Sequence, residues 1–121
     1  MNNELLQNSI IVNVNVTVEN DATIVCTPNC APVDVGRGDV FVVWNLKTDG
    51  YRFLKTDSVV IKNLPDPNFP DPAHYIGPTQ VSLKDCCSTV EVFGYTIYVR
   101  NTTTKKIIWL DPEIQNQNVS I

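Results

Sequence analysis

Ile11-Val12-Asn13-Val14-Asn15-Val16-Thr17-Val18 alternates apolar and polar residues without interruption. Val12, Val14, Val16 and Val18 fall on one face of an extended chain, and Asn13, Asn15 and Thr17 on the other. Successive side chains of a strand point to opposite faces, so this stretch predicts a half-buried strand of an antiparallel sheet. Glu19-Asn20-Asp21 reads as a turn and Thr23 to Cys26 as a second strand, which makes the opening a hairpin. The same period continues downstream. Asp39 to Leu46 is a β-branched and aromatic run suited to a central strand. Asp49-Gly50 marks a turn before short strands at Tyr51 to Leu54 and Ser58 to Lys62. Gln80 to Leu83 is another short strand. Thr89 to Arg100 is long and alternating, with Gly94 as a bulge or a point of close approach. Lys106 to Leu110 returns from a turn at Asn101 to Thr104 as the second arm of a hairpin.

Between these runs, Thr27 to Gly38 reads as a loop. Asn63 to Thr79 carries Pro65, Pro67, Pro70, Pro72 and Pro78 and reads as a long connection crossing between sheets. Glu113 to Ile121 reads as a polar tail held only by Ile114, Val119 and Ile121. No segment has a helical period. The expected fold is all-β: an antiparallel two-sheet β-sandwich, Ig-like or Greek-key, of seven to eight short strands.

At 121 residues and 13.5 kDa the chain is expected to be a single domain over 1–121. A hydrophobic content of 43% against 18% charged residues excludes a disordered chain. The net charge of -4 argues against nucleic acid and against a polybasic membrane anchor. No apolar run reaches the roughly 20 residues of a membrane helix. The N-terminal MNNELLQNSI lacks the features of a signal peptide, so a cytoplasmic location and reduced cysteines are expected.

Few residues suggest chemistry. Cys26 and Cys30 have a zinc-like spacing, but Cys86 and Cys87 are adjacent and His74 is the sole histidine. Buried thiols or one inter-sheet disulfide are the simpler reading, and no metal or cofactor is expected. No nucleotide-binding glycine motif and no nucleophile elbow occurs. Trp44 and Trp109 lie in apolar strands and read as core, whereas Tyr51, Phe53, Phe69 and Tyr75 could line a binding groove.

Three Asp-Pro bonds remain: Asp66-Pro67, Asp71-Pro72 and Asp111-Pro112. The first two are ordinary turn chemistry in the Pro-rich connection. The third stands at the end of a strand. Asp-Pro is a weak peptide link because the prolyl nitrogen is easily protonated as a leaving group and the Asp carboxyl lies beside its own carbonyl. Side-chain attack would give a cyclic anhydride; alternatively a second carboxylate could activate water. Either route is expected to need a carboxyl that stays protonated near neutral pH, through burial or a neighbouring acid. On the residues alone, Asp111-Pro112 could equally be a plain strand end.

The ending W-L-D-P-E-I-Q-N (Trp109 to Asn116), the segment D-G-Y-R-F (Asp49 to Phe53) and the Pro-rich middle resemble the DP-EP family, from about Val12 to Asn116. The resemblance implies a small bacterial β-sandwich that assembles with itself as a homo-oligomer. It implies an aspartic-type endopeptidase that cleaves its own Asp-Pro bond, here Asp111-Pro112, while the C-terminal piece, here 112–121, stays bound. It also implies that the freed Asp can be joined to a Lys on the neighbouring strand. With the hairpin centred near Thr103, Asp111 should lie across from about Tyr95 and Pro112 from about Gly94, within one residue. A lysine would then stand at Phe93, Gly94 or Tyr95, and none supplies an amine. Lys105 and Lys106 lie near the turn, roughly 15 Å or more away. Lys84 and Lys55 are not placed by the sequence. An Asp-Lys bond is therefore not expected, although hydrolysis could survive. Glu91, on the facing strand, is the candidate to activate water or share a proton, and Tyr95 to hydrogen-bond the attacked carbonyl. The alternatives are a non-catalytic structural or adhesive sandwich, or a sugar- or peptide-binding module using Tyr51, Phe53 and Tyr75.

Overall fold

The computed structural model describes residues 10–36 and 38–118. Val119 and Ile121, expected to help hold the tail, lie outside the described residues. Eleven strands and no helix make up the described chain. They are β1 (Ile10–Glu19), β2 (Thr23–Thr27), β3 (Cys30–Asp34), β4 (Val40–Leu46), β5 (Tyr51–Phe53), β6 (Val59–Ile61), β7 (His74–Gly77), β8 (Gln80–Asp85), β9 (Glu91–Asn101), β10 (Ile107–Leu110) and β11 (Glu113–Gln117).

The strands form two sheets packed as a sandwich. One has the order β2-β1-β4-β8-β7. The other is built on β9, which pairs with β10 and β11 along one edge and with β5 and β6 along the other, with β3 outside β11. The connection from β6 to β7 does cross between the sheets, as its prolines suggested.

Two features depart from the sequence reading. The sheets are mixed: β1 runs parallel to β4, and β11 parallel to β3. Three strands beyond the expected seven to eight also appear. β3 lies in the stretch read as a loop and contains Pro32; an edge position tolerates a residue without an N–H. β7 lies in the Pro-rich connection and is likewise an edge strand. β11 lies in the polar tail, and there the missing signal is apolar content rather than extended geometry.

Alternate residues of β9 fill the space between the sheets: Phe93, Tyr95, Ile97 and Val99 are all buried. They pack with Val14 and Val16 of β1, Val42 and Trp44 of β4, and Ile114 of β11 in one apolar cluster. Trp44 is core, as expected. Trp109 is not: it is 64% exposed, because its partner Tyr98 is an outward-facing position of β9, and Ile108 takes the buried position of β10. Tyr51, Phe53 and Phe69 are buried, so they offer no open aromatic platform.

The largest side chains meet at the centre. Trp44 Nε1 donates a hydrogen bond to the Tyr95 hydroxyl at 2.9 Å, with the rings edge-on at a centroid distance of 5.2 Å. Tyr95→Phe would leave the indole N–H buried without an acceptor. The expected loss is about 1–3 kcal/mol of unfolding free energy, read as a lower denaturation midpoint at unchanged slope.

Candidate functional site

β10 and β11 are one strand in register, interrupted at a single dipeptide. Leu110 stands opposite Ile97 and Glu113 opposite Gly94, so Asp111 and Pro112 fall opposite Thr96 and Tyr95. This is one residue from the expected register. Pro112 is buried and its carbonyl accepts the Tyr95 backbone N–H at 3.1 Å. Asp111 is exposed, on the outer face of the sheet. The junction falls at Pro112 because that residue brings no N–H to the ladder.

Two groups converge on the Asp111 carboxylate. Directly across the ladder, the Thr96 hydroxyl donates to Oδ1 at 2.7 Å. From β9's other edge, Lys62 places Nζ 3.3 Å from the same oxygen. Lys62 follows β6 and its N–H donates to the Gly94 carbonyl at 2.9 Å, so its side chain must pass over β9 to arrive. Gly94 leaves that path open. A Cβ built there would lie 3.3 Å from Lys62 Cδ and within 4.0 Å of Cε. The close approach anticipated at Gly94 is thus the passage of a lysine stem.

The Thr96 hydrogen bond first, and Lys62 second, hold the Asp111 carboxyl below its usual range. The expectation of a carboxyl kept protonated by burial is therefore not met, and Asp111 is an anion at neutral pH. A depressed carboxyl contributes stability above its unfolded value, and the contribution is lost as pH falls through the folded value. On this open face the contribution is screened by solvent.

The other proposed participants are elsewhere. Glu91 stands opposite Asn116, about 16 Å along β9 from Thr96 at ~3.3 Å per residue. It also has the parity of the core-facing Phe93 and Tyr95, opposite to that of Thr96. Tyr95 is fully buried; its hydroxyl is engaged by Trp44 and Cys26, and burial pushes its titration upward. Only its backbone N–H reaches the Asp-Pro segment. Of the four named residues, Asp111 and Pro112 are together at the site, while the Glu91 and Tyr95 side chains face away from it. The group that sequence reasoning missed is Lys62: Lys55 and Lys84 are the off-strand lysines that the sequence brings up, and no local pattern shows that β6, which leads into Lys62, pairs with β9.

The cysteines do not converge. Cys26 sits on β2 and Cys30 on β3, in different sheets, and none of the four cysteines is joined to another in a disulfide. Desolvation raises Cys26 to about 11, so it is an inert thiol at neutral pH. Among the described residues no three His, Cys, Asp or Glu side chains are grouped as metal ligands, and no helix is long and apolar enough to cross a membrane.

In comparison with known proteins, the chain matches no family model and no curated protein.

The two contacts on Asp111 can be ranked by titration. Thr96→Val is expected to raise the Asp111 midpoint towards the ordinary carboxyl value by more than Lys62→Met does. The side-chain 13Cγ shift of Asp111, followed against pH, measures both.

Proposed function

We propose that this chain cleaves its own Asp111-Pro112 bond, with Asp111 as nucleophile and Lys62 as its partner. The observation that carries the reading is the Lys62–Asp111 contact across Gly94, which sets an amine at the carboxylate of a weak peptide link. The resemblance to the DP-EP family points the same way.

The ionised carboxylate attacks its own main-chain carbonyl. A C–O bond forms and the C–N bond to Pro112 breaks, leaving a five-membered cyclic anhydride on residue 111. The prolyl nitrogen must take up a proton as it leaves, and the Lys62 ammonium is a proton source beside it. Loss of that proton makes Lys62 a neutral amine. Water then opens the anhydride to a free Asp111, or the Lys62 amine opens it to an amide. In the second route the two protons lost by the ammonium end on the prolyl nitrogen and one carboxylate remains, so charge balances. Proximity favours the amine, since it is already in place before the anhydride forms.

Release of the C-terminal piece does not follow from cleavage. β11 is paired on both edges, to β9 and to β3, and buries Ile114 and Asn116, with Pro112 buried just before it. The piece 112–121 is therefore expected to stay in the folded molecule and to separate only on denaturation.

A second reading is a non-catalytic sandwich that acts through its surface, including assembly with itself. Trp109 at 64% exposure, with Ile107 and Val60 at 36% each on the same outer face, favours it.

Intact mass under denaturing conditions separates the readings. Hydrolysis gives two fragments whose masses sum to the full chain plus one water. Amide formation gives two fragments that sum to the full chain alone. Asp111→Asn is expected to stay uncut. Lys62→Met is expected to lose the amide product while any residual cleavage ends in hydrolysis. An unchanged wild-type mass from pH 4 to 8 would overturn cleavage and leave the second reading.

A further inference from the structure

The polar cluster under β11 has an imbalance in its hydrogen bonds. Asp85, at the end of β8, and Asn116, on β11, are both fully buried. The Asn116 side-chain NH2 uses its two hydrogens on Asp85 Oδ1 at 3.1 Å and on Asn68 Oδ1 at 3.4 Å. Asp85 Oδ1 also accepts the Cys87 backbone N–H at 2.7 Å. Two atoms are left: Asp85 Oδ2 and Asn116 Oδ1 are buried without a partner. Both are acceptors if Asp85 is ionised, and neither can serve the other. Turning the Asn116 amide over would not help, because its oxygen would then face the Asp85 and Asn68 oxygens.

One proton resolves both. We propose that Asp85 carries a proton in the folded chain and closes a two-bond carboxylic acid–amide pair with Asn116, so that its ionisation loosens the C-terminal strand β11. In this pair Asn116 Nδ2 donates to Asp85 Oδ1, and Asp85 Oδ2 donates to Asn116 Oδ1. Every atom of the two groups is then satisfied, with no charge in the core.

The surroundings agree. Among the described residues no ion pair reaches Asp85. The nearby ionisable groups are Asp66 on the β6–β7 connection, Cys86 and Cys87 after β8, and Lys84 and Asp39, which pair with each other at 3.7 Å. The Asp66 carboxyl is engaged with Asn68, and its charge opposes a second negative charge nearby. From β11, Glu113 is exposed and lies three residues before Asn116, and from β9 Glu91, which stands opposite Asn116, is exposed as well. Desolvation is the leading influence on Asp85 and raises its titration, with the Asp66 charge adding to it.

The sign follows from linkage. A carboxyl raised in the folded state favours that state most at low pH. The advantage shrinks as pH climbs from the ordinary carboxyl range to the folded value, and is constant beyond it. Because Asn116 belongs to β11, the effect should appear first in that strand. The proposal does not rest on cleavage at Asp111-Pro112, since neither member of the pair is at that bond.

The test uses the full chain. The Asp85 13Cγ shift should be that of a protonated acid at pH 5 and move to the carboxylate position at a midpoint above the ordinary carboxyl range. Over the same interval, amide exchange protection in β11 should fall by up to about tenfold per pH unit. Asp85→Asn keeps both hydrogen bonds of the pair as an amide–amide pair, so it should hold β11 and abolish the pH dependence. A carboxylate shift for Asp85 at pH 5 would overturn the proposal, whether or not the variant folds. So would an Asp85→Asn chain whose β11 protection keeps the wild-type slope.

Discussion

β9 has strands paired along both edges, and the two sides of the molecule meet across it. Along one edge β10 and β11 hold a common register, and along the other β5 and β6 complete the sheet. Its buried positions are committed to the core, where Tyr95 meets Trp44. Its outward positions are therefore left for contacts between its neighbours. Thr96 and Gly94 occupy two such positions, and between them they bring Asp111 and Lys62 together from segments whose strands do not pair with each other. Moving either neighbour by one residue would turn its side chain to the other face and dissolve the contact.

β11 is held differently. Ile114 gives it one apolar anchor, and its second inward position is Asn116, fully buried. A buried amide is costly unless its hydrogen bonds are made, so the strand depends on polar partners from outside its own sheet: Asp85 from β8 and Asn68 from the long connection. Asn68 also organises the bend after β8, accepting from the backbone of Ser88 and donating to Thr89. One cluster thus fixes the C-terminal strand, a crossing connection and the end of β8 together.

The sandwich was legible in the sequence because its principal strands alternate cleanly, as β1 and β9 show. What escaped were strands whose inward residues are few or polar. β11 was read as a tail because E-I-Q-N-Q has a single apolar residue, and β3 was hidden by Pro32. The Asp-Pro bond and its register to within one residue were also readable, since a hairpin fixes its own pairing. Lys62 was not, because it arrives from a strand paired to β9 through a non-local contact, and no local pattern encodes which edge β6 takes. Gly94 was the one trace of it. Glu91 illustrates the opposite error: its chemistry suited the role, but it has core-facing parity on β9, whereas Asp111 lies across from Thr96 on that strand's outer face.

The unbroken register from β10 to β11 also governs how firmly the last strand is held. While the chain is continuous, a β11 that opens finds its slot again at an effective concentration of roughly millimolar or above, set by its short tether. Severing the dipeptide between the two strands changes no rung of the ladder, yet it makes rebinding a meeting of two molecules. Occupancy of the slot between β9 and β3 would then depend on how concentrated the protein is. The same contacts that look permanent in a dense sample would yield to dilution, or to a strand offered by a neighbour.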